Sequence, residues 1–427
     1  MFYLKQNFKG AIKKISDIDF FSPAIFFPMV LLAYHVMGNL FDYSRTDMFN
    51  LKYSTYPLIF TAIIVYYVVY FLVKKYDIML PSISLKWFTK LFYTGVIILT
   101  VIGVISLGYL IFTGQIGLFD EAVRRNISPK LNFLSAFLWF GYLILITTFI
   151  AKKKFSTGKA ILILCSSAIV ILGLYVLIGY RTNLFMILFT LVIFFHYFFK
   201  RFNFIFIITI LLITSLSFSY FGSMRVANED KTEEFNKGMV EFKDLDEQTQ
   251  KEVVKVKEMP EWFKTITAEF VNGKVVLSRI IEYTEEYGTL NGELHLSSVE
   301  TLLPGENKSP RTIVTEVVNT FSDNGIPVTR EGRTTTPSLL GQLFLDGGYV
   351  LLVIGVGLVS FLLTAMYNRM QRTNSSNHII TYAFITTLLT ISIHTGLLDL
   401  IFYLFFIAMF VYAMINTDEE HNVKYRY

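Results

Sequence analysis

Long apolar blocks separated by short polar segments make up most of the chain. Each block runs for about 20 residues without a charge at its centre, enough for an α-helix to cross a hydrocarbon core about 30 Å thick. We therefore predict an all-α polytopic membrane protein with about 10 transmembrane helices, the eighth long enough to be tilted or to begin as a separate short helix. The predicted spans lie near residues 22–41, 55–73, 91–112, 133–151, 160–178, 183–199, 203–221, 338–366, 379–395 and 397–415.

The pattern changes between the seventh and eighth spans. Residues 229–264 are dense in charge and predict a solvated helix, whereas 266–290 repeat apolar residues at helical spacing and predict a helix lying on another surface. From Pro304 to Pro337, Gly, Pro, Ser and Thr predict irregular backbone. The chain thus divides into a membrane domain with spans 1–7 (1–221), a large, mostly helical loop domain (222–337), and a membrane domain with spans 8–10 and a tail (338–427).

The distribution of Lys and Arg predicts the orientation. Most of these residues flank the spans on one side, and the positive-inside rule makes that side cytoplasmic. Both termini are then cytoplasmic and the loop domain is extracytoplasmic. Residues 1–20 have neither an apolar run nor a small-residue cleavage site, so we interpret them as an amphipathic lead-in instead of a signal peptide. The net charge of +5 follows from this topology and does not indicate nucleic acid binding.

The predicted spans lack the charged residues that ion-coupled transporters use. No Asp, Glu, Lys or Arg lies at mid-membrane depth, and the ionisable residues there are His35 and His196. Such residues are costly in a bilayer and mark transport pathways. We also find no internal repeat of the kind that transporters carry. Any chemistry is therefore expected at the outer surface.

Metal and disulfide chemistry are not predicted. The single cysteine, Cys165, lies inside a span, so it can neither brace the loop domain nor join a Cys-rich metal site. The Asp244-Leu245-Asp246 sequence looks like the DxD of metal-dependent glycosyltransferases. It falls in a helical charge run, where side chains at i and i+2 point apart, so we interpret it as a solvated face.

Several arginines lie on the predicted outer side, against the topology bias. Guanidinium groups carry a permanent charge and a planar fork of donors that matches two phosphate oxygens, so we predict a diphosphate-binding site. Snorkelling at the interface is the alternative for each of them. The candidates are Arg181 in GYRTNLF, Arg225 in FGSMRV, Arg279 in LSRIIEY, and Arg330 and Arg333 in VTREGRTTTP.

Carboxylates and histidines near the outer surface are candidate catalytic groups. A carboxylate beside span eight could accept a proton from an attacking hydroxyl. Histidines at the outer edge could do the same, although a lone histidine is more often a structural residue. The candidates are Asp323, Glu331, Asp346 and His295, and His394 is the second histidine at this edge.

Several short sequences together resemble a known family, the bacterial oligosaccharide repeat-unit polymerases of the Wzy type, which are related to the O-antigen ligases. They are FSPAIFFPMVLLAYHVMGNL, IGYRTNLF, GSMRV, LLPGENKSP and TTTPSLLGQLFLDGGYVLLVIGVGLV, in the family's order along nearly the whole chain. Arg181 and Arg225 fall on the family's outer-face arginines. The ligases have a His-Asn pair where this chain has Thr336-Pro337-Ser338, which favours a polymerase.

The resemblance implies a metal-independent, cofactor-free membrane glycosyltransferase of the GT-C type in the bacterial cytoplasmic membrane. Such an enzyme transfers a glycan from undecaprenyl diphosphate to the next lipid-linked repeat unit at the outer face. Its expected partners are the lipid-linked oligosaccharide, the bilayer, a chain-length regulator and a flippase. The alternatives are a ligase with a lipid or protein acceptor, and a flippase or exporter without catalysis.

Overall fold

The computed structural model of the protein describes residues 19–40, 51–81, 86–115, 123, 127–153, 155–203, 206–207, 209–210, 261–301, 308–321 and 334–415. This part of the chain forms twelve principal helices. They are α1 (Phe26–Leu40), α2 (Tyr56–Lys75), α3 (Lys86–Phe112), α4 (Pro129–Lys153), α5 (Thr157–Ile178), α6 (Arg181–Phe198), α7 (Glu261–Tyr287), α8 (Glu293–Glu300), α9 (Pro310–Asn319), α10 (Ser338–Thr373), α11 (Ser376–Thr395) and α12 (Leu400–Met414).

The apolar helices agree with the predicted spans. Seven of the described helices, α2–α6, α10 and α11, are long and apolar enough to cross a membrane, and α1 and α12 are shorter apolar helices. Each corresponds to one predicted span, while most of the remaining one, 203–221, lies outside the described residues. Large apolar side chains on α2, α3 and α5 are exposed, as lipid-facing positions are. The chain is therefore a multi-pass membrane protein.

Close backbone contacts hold the apolar helices together. α3 packs on α4, α10 on α2 and α11, and α6 on α11. A Cβ at Gly103 of α3 would lie 2.3 Å from the backbone nitrogen of Leu138 on α4. Small residues of this kind let membrane helices approach until their backbones touch, which favours van der Waals packing where lipid offers no hydrophobic driving force.

A polar network joins the helix ends at one end of the bundle. Tyr197, near the end of α6, donates to Asp19 Oδ1 at 2.8 Å, and Tyr367, near the end of α10, donates to Asp19 Oδ2 at 2.6 Å. Lys74, at the end of α2, donates to Asn368 at 2.7 Å. The end of the bundle where α6, α10 and α12 begin and α11 finishes is called the loop end. The Asp19 network lies at the other end, which we call the opposite end.

The predicted apolar-faced helix at 266–290 is present as α7. It packs on α1 and α10, with Val275, Leu277 and Ile280 buried. Gly273 permits the close approach to α1, because a Cβ there would lie 2.4 Å from the hydroxyl of Tyr34. The charge-dense stretch 229–264, predicted as a solvated helix, lies almost wholly outside the described residues.

One expectation about the loop domain was wrong. Irregular backbone was predicted throughout 304–337, but helix α9 occupies Pro310–Asn319. Ser309 caps it by accepting a hydrogen bond from the Thr312 amide at 3.2 Å, and Pro310 takes the first helical position, where its missing N–H costs nothing. Apolar residues then recur on one buried face, which outweighs the polar composition around them: Ile313, Val314, Val317 and Val318.

Helix α10 is interrupted by two glycines. Gly347 has φ −156° and ψ 21°, and Gly348 has φ 60° and ψ −151°, which separates a short buried helix ending at Asp346 from the long helix that follows. Two alternatives were predicted for the long eighth span, tilting or a separate short helix at its start, and the structure has the short helix. The Gly348 conformation is one that essentially only glycine adopts.

Replacing Gly348 by alanine is expected to destabilise the protein by about 1–3 kcal/mol, because a Cβ cannot adopt these angles without strain. Thermal unfolding in detergent measures the effect. Gly357→Ala, in the same helix, is the control: its Cβ would lie 3.6 Å from Val69, an ordinary contact. That variant should be unchanged or slightly more stable. Equal stability of the two variants would contradict the assigned kink.

Candidate active site

A buried carboxylate organises the loop end. Asp346, the last residue before the kink, is 1% exposed. Its Oδ1 accepts hydrogen bonds from the amides of Gly292 and Leu294, both at 3.0 Å, and its Oδ2 accepts from the amide of His295 at 3.1 Å. These N–H groups lie at the start of α8, where a helix leaves its first amides without internal partners. Asp346 therefore caps α8 from another helix.

The same carboxylate binds the imidazole of His295. Its Oδ2 is hydrogen-bonded to Nδ1 of His295, from 51 residues away in sequence. The histidine side chain is 33% exposed, and that of the aspartate is fully buried. A buried carboxylate in this position fixes the orientation of the ring and stabilises the imidazolium that forms when the ring takes a proton. The structure thus brings two of the predicted catalytic residues into direct contact.

An amide lies on the other side of the imidazole. Gln342 precedes Asp346 by one helical turn, so the two side chains share a face of α10. Its Nε2 lies 3.2 Å from Nε2 of His295 and 3.4 Å from the hydroxyl of Tyr403. Its Oε1 accepts from the amide of Leu397 at 2.6 Å, and its Nε2 donates to the Leu397 carbonyl at 3.1 Å. The ring of His295 is therefore held between a carboxylate and an amide.

The turn between α11 and α12 joins the other elements of the loop end. Ser298 of α8 donates to the carbonyl of Leu398 at 2.9 Å. Arg311 of α9 forms an ion pair with Asp399 at 2.6 Å, and both side chains are partly exposed. His394, at the end of α11, is hydrogen-bonded through Nδ1 to the hydroxyl of Tyr34 at 2.8 Å. These contacts therefore tie α1, α8 and α9 to the end of α11 and to the turn that follows it.

Arg181 is the first residue of α6 and follows Gly179, which has a left-handed φ of 83°. Its side chain is partly exposed. Tyr197, sixteen residues later, lies at the opposite end, and a helix rises about 1.5 Å per residue. Arg181 therefore lies at the loop end, about 24 Å from the Asp19 network. No carboxylate of the described residues forms an ion pair with it.

Arg279 is in a different environment. It is 1% exposed, and its Nη1 lies 2.6 Å from Oε2 of Glu282, also buried and one turn later on α7. Its guanidinium carbon lies 5.8 Å from the centre of the Phe321 ring. The charge of Arg279 is thus already matched by a carboxylate within the fold.

The remaining predicted site residues lie outside the described part of the chain. They are the arginines Arg225, Arg330 and Arg333 and the carboxylates Asp323 and Glu331. Within the described residues, no group of three or more His, Cys, Asp or Glu side chains is arranged to hold a metal ion.

Four polar residues of the loop end were not predicted from the sequence: Gln342, Tyr403, Arg311 and Asp399. The spacing of Gln342 and Asp346 within TPSLLGQLFLDGGY was an available signal, because residues four apart lie on one helical face. For Tyr403, Arg311 and Asp399 no such signal existed, since their partners are remote in sequence.

The fold and the site define a multi-pass helical membrane protein with a partly exposed polar site at one end of its bundle. The sequence model of the O-antigen polymerase family matches residues 19–235 and 273–406, and the chain belongs to that family. The resemblance noted from the sequence motifs is thereby confirmed. A search among curated proteins and one among solved structures each found no significant match. Family membership places the chain among the glycosyltransferase-type membrane enzymes of polysaccharide biosynthesis.

Proposed function

We propose that the protein polymerises oligosaccharide repeat units carried on undecaprenyl diphosphate, at the outer face of the cytoplasmic membrane. The observation that carries this proposal is the His295–Asp346 pair at the loop end. It joins a partly exposed imidazole to a buried carboxylate, which is an arrangement suited to removing a proton from a hydroxyl. The loop end is then the extracytoplasmic end, as the distribution of Lys and Arg predicts.

In the proposed reaction, a sugar hydroxyl of the acceptor repeat unit takes the place of the Gln342 amide at Nε2 of His295 and donates its proton to that nitrogen. The hydroxyl oxygen forms a bond to the anomeric carbon of the donor glycan, and the bond from that carbon to the phosphate oxygen breaks. The electron pair leaves with the lipid diphosphate. Asp346 stabilises the resulting imidazolium through Nδ1, and the proton is later released to water.

Arginine stabilises the leaving diphosphate in this proposal. A unit positive and a unit negative charge 4 Å apart attract each other by about 4 kcal/mol at an effective dielectric constant of about 20. Arg181 is best suited, because it lies at the loop end without a carboxylate partner among the described residues. Arg225, Arg330 and Arg333 would join it. Arg279 would have to exchange Glu282 for a phosphate.

These roles correspond to a GT-C-type mechanism that needs neither a metal ion nor a cofactor. The apolar helices would hold the prenyl chains of the two substrates in the bilayer. Asp323 and Glu331 remain candidates for a second acid–base group in addition to the His295–Asp346 pair. A flippase would act before the polymerisation step, because the substrate must reach the outer face, and a chain-length regulator would determine how many repeat units are joined.

The class of reaction can be tested with purified protein in vesicles containing only lipid-linked repeat units. We expect glycan products longer than one unit without any nucleotide sugar, and with a metal chelator present. Transfer of the glycan only to a different lipid or to a protein would establish the ligase alternative. Movement of the lipid-linked oligosaccharide across the bilayer without elongation would establish the flippase and contradict the proposal.

Arg181→Ala is expected to shorten the polymer to single repeat units in cells, because the leaving diphosphate loses a charge-assisted partner. The control is Arg372→Ala, which removes an exposed arginine of the opposite end that pairs with Asp77. That variant should produce polymer of normal length, since exposed ion pairs contribute little to stability. Gel analysis of surface polysaccharide and a membrane-insertion assay measure both effects. Normal chain length with Arg181→Ala would exclude Arg181 from the site.

A further inference from the structure

The amide of Gln342 has only one orientation that satisfies its neighbours. The backbone nitrogen of Leu397 can only donate, so the Gln342 atom 2.6 Å away must be the acceptor Oε1. The carbonyl of Leu397 can only accept, so the atom 3.1 Å away must be Nε2. A flipped amide would set donor against donor and oxygen against oxygen. Since Gln342 is 1% exposed, water cannot replace these bonds.

This orientation agrees with the proton position that the Asp346 carboxylate sets on His295. One N–H of the Gln342 amide is used by Leu397, and Nε2 of His295 at 3.2 Å is the nearer of two acceptors for the other, since the hydroxyl of Tyr403 lies at 3.4 Å. Nε2 of the imidazole must therefore accept. A neutral imidazole has one donor and one acceptor, so its proton lies on Nδ1, where Asp346 accepts it.

We propose that Gln342 is a positioning residue that holds the ring of His295 with Nε2 unprotonated at rest, and that its N–H turns to the hydroxyl of Tyr403 when the acceptor hydroxyl takes its place at the Nε2 lone pair. This inference rests on the proposed role of His295 as the base. The backbone of Leu397 is the fixed reference, because its N–H and C=O together lock the amide. The turn that carries Leu397 thus helps to orient a residue on α8.

Gln342 also affects what happens after proton transfer. A proton on Nε2 faces the N–H of Gln342, so the imidazolium loses that contact while it keeps the one to Asp346. The neutral imidazole is therefore favoured over the imidazolium between turnovers, and release of the proton from Nε2 is promoted. The other titratable or charged groups nearby are Tyr403 on α12, Glu293 on α8, and the Arg311–Asp399 ion pair.

Imidazole ¹⁵N chemical shifts of the full-length protein in lipid nanodiscs test the tautomer directly. With all histidines labelled, the His295 signals are assigned by their loss in His295→Gln. We expect a protonated Nδ1 and an unprotonated Nε2 at neutral pH. A protonated Nε2 in the unaltered protein would overturn the inference, whatever the variants do.

Two variants and a control then connect the tautomer to activity. Gln342→Glu replaces the donor by a carboxylate, which accepts from the imidazolium, so the acidic limb of the pH–rate profile should move up by about 1 pH unit or more. Gln342→Leu, which removes the amide without adding charge, should keep the proton on Nδ1, where Asp346 accepts it, and lower the rate by about tenfold or more because the ring loses one of its two contacts. Tyr403→Phe keeps the amide of Gln342 and should leave the tautomer unchanged. A pH profile unaffected by Gln342→Glu together with a full rate in Gln342→Leu would refute the positioning role.

The outcome separates this inference from the proposed function. If His295→Ala still polymerises normally, the imidazole is not the base and the proposed function loses its main residue, although the tautomer stays as measured. If His295→Ala is inactive while the Gln342 variants behave like the unaltered protein, the base is retained and only the role of Gln342 is rejected.

Discussion

Polymerisation is expected to fall by about 10²–10⁴-fold when His295 is replaced by alanine, which is the range that positioned acid–base groups contribute. Cells carrying the variant should display single repeat units in place of long chains. The side chain is 33% exposed and lies at the surface of α8, so its loss should leave the protein folded and inserted. Gel analysis of the surface polysaccharide and the rate of elongation by purified protein measure the two effects.

The matched control is His394→Gln. His394 also lies at the loop end, and its Nδ1 is hydrogen-bonded to the hydroxyl of Tyr34. Glutamine can retain a hydrogen bond there, so we expect long polymer from this variant. Long polymer from His295→Ala would remove the imidazole from the mechanism. Short chains from both variants would point to a general disturbance of the loop end.

Asp346→Leu is expected to destabilise the protein by about 2–6 kcal/mol, because the amides of Leu294 and His295 lose their acceptor at about 1–3 kcal/mol each. The amide of Gly292 would keep only the backbone carbonyl of residue 346, and α8 would lose its side-chain cap. Thermal unfolding in detergent should show a large drop in the unfolding temperature. Unchanged stability would show that the carboxylate does not cap α8.

Asp346→Asn separates the cap from the charge. The asparagine oxygen can still accept from Gly292 and Leu294, but its NH₂ group faces the backbone amide and Nδ1 of His295, so one cap bond is lost and the tautomer of the imidazole is reversed. Without the negative charge, the imidazolium is also not stabilised. We expect a smaller loss of stability than with Asp346→Leu and a loss of rate of about 10²–10⁴-fold. Equal rates of Asp346→Asn and the unaltered protein would exclude a role for the charge.

Much of the membrane architecture could be predicted from the sequence. A membrane-spanning helix satisfies its own backbone hydrogen bonds and presents apolar side chains to lipid. Each such helix can therefore be predicted from a short stretch of sequence. The nine apolar helices of the described chain therefore coincide with predicted spans. The prediction failed at α9, where the cap of Ser309 and Pro310 outweighed a composition typical of loops. Composition averages over a stretch, whereas a cap acts at single positions.

The candidate site was predictable only in part. His295 and Asp346 were each selected from the sequence for their position near the outer surface, and nothing in the sequence indicated that they touch. Gln342 lies one turn from Asp346, so helical spacing could have found it. Arg279 was predicted as a phosphate ligand from its residue type, and its buried pairing with Glu282 became visible only in the folded protein.

The sequence by itself determined the class of protein, the positions of the apolar helices and the membership of a family, because all three depend on residues close together along the chain or on their order. Only the tertiary structure decided that Asp346 caps α8, that His295 lies between a carboxylate and an amide, and that Leu397 fixes that amide. These contacts join segments about 50 residues apart. Hydrogen bonds depend on distance and angle, and the packing of α8, α10 and the α11–α12 turn supplies both.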